Sequence, residues 1–184
     1  MTPDVHSAFE VLVGGAFTSP PRAVMEVGAS HKTLLDIPMF RNSRCVALNV
    51  AFDTKSRKRL RGYELIEASG NAIPLESRSF DCIVSSSTLE HDKAFWKTVA
   101  EVERLLAPGG VFIVGVPIYT ELPTDMFHST LTFALHGKRY NADFYRFSEQ
   151  AVREVLLGGL KLIAETIVNR YPSPYMVASG RKLA

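Results

Sequence analysis

The sequence predicts an open α/β sheet, mostly parallel, with helices on both faces. Apolar runs of four to six residues recur along the chain, the length expected of strands buried on both faces. Amphipathic helical stretches separate the later runs. The runs end at glycine, proline or a polar side chain, where extended backbone gives way to a turn.

The elements follow in order. Ala23-Val24-Met25-Glu26-Val27 is the first strand and stops at Gly28. Cys45 to Val50 is the second, and Tyr63 to Glu67, with half-buried alternation, is the third. Asp81 to Ser85 follows the turn-like Glu76-Ser77-Arg78-Ser79. Phe95, Val99, Val102 and Leu106 then share one helical face, with Lys97, Glu101 and Arg104 elsewhere and Asp92 placed to cap the start. Pro108-Gly109-Gly110 ends that helix, and Val111 to Val116 is a strand closed by Pro117. Ser148 is the N-cap of a second helix that turns Ala151, Val152, Val155 and Leu156 inward and stops at Gly158-Gly159. Leu162 to Val168 and Tyr175 to Ser179 are the last strands, either side of the turn Tyr171-Pro172-Ser173-Pro174.

A length of 184 residues suits one domain over 1–184, with 46% hydrophobic and 22% charged residues enough to build a core. Lys plus Arg is 21 against 19 Asp plus Glu, so a net charge of +2 gives no field that argues for nucleic acid. The basic stretch from Arg41 to Arg61 has Asp53 as its one acid and Phe52 as its one aromatic, which reads as a solvated loop rather than a stacking platform. Cys45 and Cys82 sit in apolar runs as small hydrophobes, with no CxxC pair and no zinc spacing. A reducing cytoplasm is the expected location. No Lys or Arg precedes Arg22 and no apolar run approaches 18 residues, so neither export nor a membrane span is expected.

In such a sheet ligands sit beyond the carboxyl ends of the strands, where strand order reverses. Gly28 follows the first strand and can let backbone approach a ligand, with the next amides facing it. Asn49 ends the second strand within reach of a ribose hydroxyl. A glycine needed only for the turn and an Asn that only ends a strand give the same pattern.

Later segments join these signals. Gly70-Asn71-Ala72, Ile73-Pro74-Leu75, Ser79-Phe80-Asp81, Leu89-Glu90-His91 and Arg104-Leu105-Leu106-Ala107-Pro108-Gly109-Gly110 stand in one order and spacing. Residues 64–117 thereby resemble the core of class I S-adenosylmethionine-dependent methyltransferases of the type-11 kind. That family's typical run is Gly-Asp-Ala, Leu-Pro-Phe, Ser-Phe-Asp, Leu-Glu-His and Arg-Val-Leu-x-Pro-Gly-Gly. The resemblance continues more faintly over 22–181, where Asp143-Phe144-Tyr145-Arg146-Phe147-Ser148 is similar to the family's approach to the helix before the final hairpin. It implies a Rossmann-like seven-stranded sheet with an antiparallel last strand. Its core is 22–117, an acceptor or lid segment spans 118–147, and a helix and hairpin span 148–181. The short link after Asn49 implies a reduced second helix.

The resemblance also implies S-adenosyl-L-methionine as cofactor and a small-molecule methyl acceptor. Glu26 and Gly28 would shape the cofactor loop, and Ser30 would approach the methionine part. Asn49 would meet the ribose, and Asn71, Ala72 and Ile73 the adenine. Ser86 and Leu89 would wall the cofactor, and His91 would face the reacting methyl as a base. Tyr119, His128, Tyr145 and Arg146 would recognise the acceptor. His128 and His136 lack a third ligand, so no metal is expected.

The chain departs from the family where Ser30 and Lys32 stand in place of loop glycines, and where Asn49 and Asn71 stand in place of acids. Asn brings no charge to a hydrogen bond, and charge-assisted bonds are about twice as strong. A non-catalytic relative, serving as a binding or partner subunit, is therefore the alternative, and a homo-oligomer fits the open site. A dinucleotide oxidoreductase is disfavoured, because Gly28-Ala29-Ser30-His31-Lys32-Thr33 is not GxGxxG.

Overall fold

Seven strands form one sheet in the order β3-β2-β1-β4-β5-β7-β6 in a computed structural model that describes residues 1–119, 144–169 and 173–183. They are β1 Ala23–Val27, β2 Arg44–Asn49, β3 Glu64–Glu67, β4 Phe80–Ser86, β5 Leu106–Pro117, β6 Lys161–Val168 and β7 Tyr175–Arg181. All neighbours pair in parallel except β7, which runs antiparallel to both β5 and β6. The chain moves outward from β1 to β3 and then crosses back to β4. Order reverses between β1 and β4, so a crevice opens at their carboxyl ends.

Alternation along the strands fills two apolar layers. Met25, Phe80 and Phe112 pack on one face beneath Val99 and Val102 of helix α3, Phe95–Leu105. Val24, Val84 and Tyr175 pack on the other with Phe9 and Phe40. Phe9 belongs to helix α1, Pro3–Ala16, which the strand–helix reading above does not contain. Pro3 starts it, and Val5, Phe9, Leu12 and Val13 give it one buried stripe against β5, β6 and β7. Each such side chain stabilises the fold by roughly 1.5–3 kcal/mol on burial.

The link after β2 does carry a short helix. Helix α2, Thr54–Arg59, is held by the Asp53 carboxylate, which accepts from Ser56 N at 2.7 Å. Its basic residues are partly matched by distant acids: Arg57 pairs with Glu67 at 2.5 Å, and Arg59 with Asp36. Helix α3 ends one residue earlier than its apolar stripe suggests, and β5 begins at Leu106 rather than Val111. The turn after it is absorbed by pairing, since Gly109 N donates to Lys182 O and Lys182 N to Gly110 O.

Ser148 caps helix α4, Glu149–Ala151, by accepting from Ala151 N at 3.0 Å. The helix then widens into a π-helical turn over Val152–Leu156, closed by Leu157 N to Val152 O at 3.1 Å. Val152 and Leu156 stay buried while the wider turn leaves Val155 half exposed, contrary to the regular-helix expectation. Among the described residues no helix is long and apolar enough to cross a membrane.

Candidate active site

A cleft of about 450 Å³ opens at the reversal point, beyond the carboxyl ends of β1, β2 and β4. That is within the usual range for a small-molecule site, about 300–1,000 Å³. Val27, Leu48, Val50 and Ala68 give it apolar walls. Asn49, Asn71, Ser87, His91, Asp92, Lys93 and Thr98 put polar groups around them.

Gly28 lies where β1 and β4 diverge. Its φ of +83° is left-handed, and a Cβ there would come within 2.0 Å of Thr88 Oγ1. Thr88 Oγ1 in turn lies 3.3 Å from Val27 O and 3.1 Å from Ser86 O, so its side chain fills the notch above the glycine. The amides after Gly28 do not face the cleft as expected. Gly28 N and Ala29 N donate to Leu48 O at 2.8 and 3.0 Å, His31 N to Ser56 Oγ at 3.1 Å, and Lys32 N to Ser30 Oγ at 3.3 Å. Ser30 accordingly belongs to the loop and lies outside the cleft lining.

Glu26 also lies outside the cleft and holds this loop from within. It is buried, and its Oε2 accepts from the Thr33 hydroxyl and from Leu34 N at 3.0 Å. Burial raises its carboxyl to about 7, with the Thr33 and Leu34 bonds working in the opposite direction.

Two asparagines line the cleft with their side chains engaged. Asn49 Nδ2 donates to Ala29 O at 2.8 Å, and Asn49 Oδ1 accepts from Val50 N at 2.7 Å, so the amide ties β2 to the loop. Asn71 Nδ2 donates to Asp92 Oδ2 at 2.7 Å and to Thr98 Oγ1 at 3.1 Å. Thr98 Oγ1 donates to the same Asp92 Oδ2 at 2.7 Å, and Ala94 N to Asp92 Oδ1 at 2.9 Å. Asp92 therefore organises the cleft wall and does not cap α3, whose N-cap is Ala94 with no side-chain bond. Gly70 admits this arrangement, since a Cβ would lie 2.6 Å from Thr98 Oγ1.

The loop after Asn71 is clamped to α3. Ile73 N donates to Glu101 Oε2 at 2.7 Å, while Arg104 donates to Ile73 O at 3.0 Å and Leu75 O at 2.8 Å. The hydrogen bond from Arg104 holds the Glu101 carboxyl below its ordinary range. Ile73 and Leu89 are core residues, and Ala72 is an exposed turn residue bonding to Ser69 O at 3.1 Å. None of them lines the cleft.

After β4 the backbone turns so that neighbouring serines part. Ser86 Oγ faces Tyr175 Oη at 2.9 Å and Met1 Sδ at 3.8 Å, away from the cleft. Ser87, with φ of +50°, lines the cleft in its place and bonds Tyr175 Oη at 3.0 Å. Tyr175 donates onward to Gly115 O at 2.7 Å. His91 lines the cleft from the turn Leu89–His91, its N–H bonded to Thr88 O at 3.0 Å.

The acceptor-side residues are more dispersed. Tyr145 stacks edge-on with Phe95 at 4.9 Å and donates to Lys93 O at 2.8 Å, a packing role beside the cleft. Arg146 donates to Tyr145 O at 3.2 Å, and Tyr119 is exposed beyond β5. None of these lines the cleft, and His128 lies outside the described residues. Thr88, Ser87, Asp92 and Thr98 are the site residues that motif reading missed. The adjacency of Asp92 to Leu89-Glu90-His91 was the one available signal.

Residues 26–114 match the family model described as a methyltransferase domain. Over that stretch, just under half of the chain, the protein is similar to methyltransferase domains of the type-11 kind. Several solved structures share its fold at low identity. The Burkholderia thailandensis 1,6-didemethyltoxoflavin-N1-methyltransferase, solved with 1,6-didemethyltoxoflavin and S-adenosylhomocysteine, aligns over 99% of this chain and 78% of its own. Its TM-score is 0.74 at 17% identity. The Bradyrhizobium japonicum N-methyltransferase NodS with S-adenosylhomocysteine gives 0.68 at 12% identity, over 97% of this chain and 86% of its own. The Haloferax volcanii complex of the Trm112 methyltransferase activator with its partner gives 0.69 at 15%, over 97% and 91%. No curated protein matches the sequence. Among the described residues no three His, Cys, Asp or Glu side chains group as metal ligands.

Proposed function

We propose that this methyltransferase domain binds S-adenosylmethionine in the cleft between β1 and β4 and methylates a small molecule. The observation that carries the reading is the cleft itself: apolar Leu48, Val50 and Ala68 line it together with Asn49 and Asn71 at the point where strand order reverses. These groups fit a nucleoside, with apolar side chains for a base and a polar group for its edge. Asn71 would hold the base and Asn49 the ribose, while Gly28 and Ser87 would border the amino-acid end.

S-adenosylmethionine, when bound, supplies a methyl group on a positively charged sulfur. The chain's own contribution is positioning: rigid walls fixed by Glu26, Thr88, Arg104 and Tyr175 hold two reactants in line, the effect that replaces a bimolecular encounter. His91, on the cleft rim, would take the proton from an acceptor that carries one. The structural neighbour solved with 1,6-didemethyltoxoflavin supports a small-molecule acceptor.

The closed bonding of the loop, where the Gly28, Ala29, His31 and Lys32 amides are satisfied internally, favours a second reading in which the chain is a partner subunit. Calorimetric titration with S-adenosylmethionine and S-adenosylhomocysteine decides. The enzyme reading expects 1:1 binding with a dissociation constant on the order of 1 μM, about −8 kcal/mol. Absence of heat and of any thermal shift at millimolar ligand would overturn it for the isolated chain.

A further inference from the structure

We infer that Asp92 and Thr98 fix the direction of the Asn71 amide and so make the cleft selective for a base that presents an amino group. The inference rests on the nucleoside reading above and deepens it.

An asparagine amide has a donor end and an acceptor end of almost the same shape, so shape alone leaves its direction open. Here the neighbours decide it. The Asp92 carboxylate can only accept, and its Oδ2 lies 2.7 Å from Asn71 Nδ2 and 2.7 Å from Thr98 Oγ1. Thr98 gives its one proton to Asp92, which leaves Oγ1 to accept the second Asn71 N–H at 3.1 Å. Both donor hydrogens of Asn71 are consumed. A reversed amide would set its oxygen against the carboxylate, an arrangement with no proton between them.

Asn71 therefore offers the cleft an acceptor, Oδ1, which makes no hydrogen bond among the described residues. An exocyclic amine, as on adenine, satisfies it; the 6-oxo group of hypoxanthine opposes it. The charge has not left the site: it stands behind the amide, on Asp92, and polarises it. An acid at position 71 would face Asp92 at hydrogen-bond distance as a second carboxylate. The amide at 71 and the acid at 92 are a matched pair, so the exchange of acid for amide at 71 need not signal a lost site.

The test is an exchange of ends. Asn71→Asp, Asp92→Asn and the double variant are compared with wild type by unfolding temperature without ligand and by titration with S-adenosylhomocysteine, adenosine and inosine. Each single variant should bind S-adenosylhomocysteine about tenfold or more weakly, the cost expected for a broken bond to a charged group. Each should also unfold at lower temperature. The double variant should recover to within about threefold of wild type and most of the lost temperature, and wild type should prefer adenosine to inosine. Tighter binding by N71D, or a double variant no better than the singles, would overturn the inference. Wild type that binds neither adenosine nor S-adenosylhomocysteine would overturn the base preference together with the cofactor reading. The ligand-free temperatures then still decide the amide direction, with N71D as stable as wild type counting against it.

Discussion

Gly28→Ala probes the one position on which the geometry of the cleft turns. Two separate costs are legible at this position. A side chain in the left-handed region at φ +83° costs about 1–2 kcal/mol. The new Cβ would also meet Thr88 Oγ1, Cγ2 and Cβ at 2.0, 2.6 and 2.8 Å, all closer than packed atoms tolerate. Overpacking of this kind costs typically about 1–3 kcal/mol, giving a total of about 2–5 kcal/mol. Urea unfolding followed by circular dichroism measures it, as a lowered midpoint at unchanged slope. Thr88→Ala separates the terms: it removes Oγ1 and Cγ2 but leaves Cβ at 2.8 Å, so in the double variant part of the steric term is recovered and the backbone term remains. Gly28→Ala within about 0.5 kcal/mol of wild type, or no coupling between the substitutions, would refute the assigned contact.

Two further variants test the supports of the loop and of Ser87. The Glu26 carboxyl, raised by burial from 4.5 to about 7, stabilises the fold fully below the ordinary value. That stabilisation, about 3 kcal/mol, declines as pH rises toward 7. Glu26→Gln should flatten this fall, read as urea midpoints at pH 5 and pH 8; an unchanged slope would count against it. Tyr175→Phe removes a buried hydroxyl shared by Gly115 O, Ser86 and Ser87 and should cost about 1–3 kcal/mol while weakening nucleoside binding through Ser87. A variant with wild-type stability and affinity would refute that role.

The strand positions and the cleft's place beyond their carboxyl ends were legible because they follow from short apolar runs and the residues that stop them. Gly28 and Asn49 were found this way, Asn71 and His91 through the family resemblance, and all four line the cleft. Helix α1 escaped notice although Thr2-Pro3 and the spacing of Val5, Phe9, Leu12 and Val13 announce it. The polarity of the site was not legible at all, because it comes from contacts across the chain: Thr88 above Gly28, Asp92 and Thr98 behind Asn71, Tyr175 beside Ser87. Ser86 and Ser87 show the limit of motif spacing. Both hydroxyls meet Tyr175, yet with a positive φ at Ser87 that serine lines the cleft and Ser86 does not.

The most direct test of the account is a nuclear magnetic resonance titration of 15N-labelled protein with S-adenosylhomocysteine. Saturable shifts should concentrate at Gly28, Asn49, Ala68 to Asn71 and Ser87, with the Asn71 side-chain amide moving while remaining held by Asp92. Shifts confined to the separate polar hollow of about 490 Å³ between Phe40, Arg44 and Tyr63, or no shifts at millimolar ligand, would contradict it.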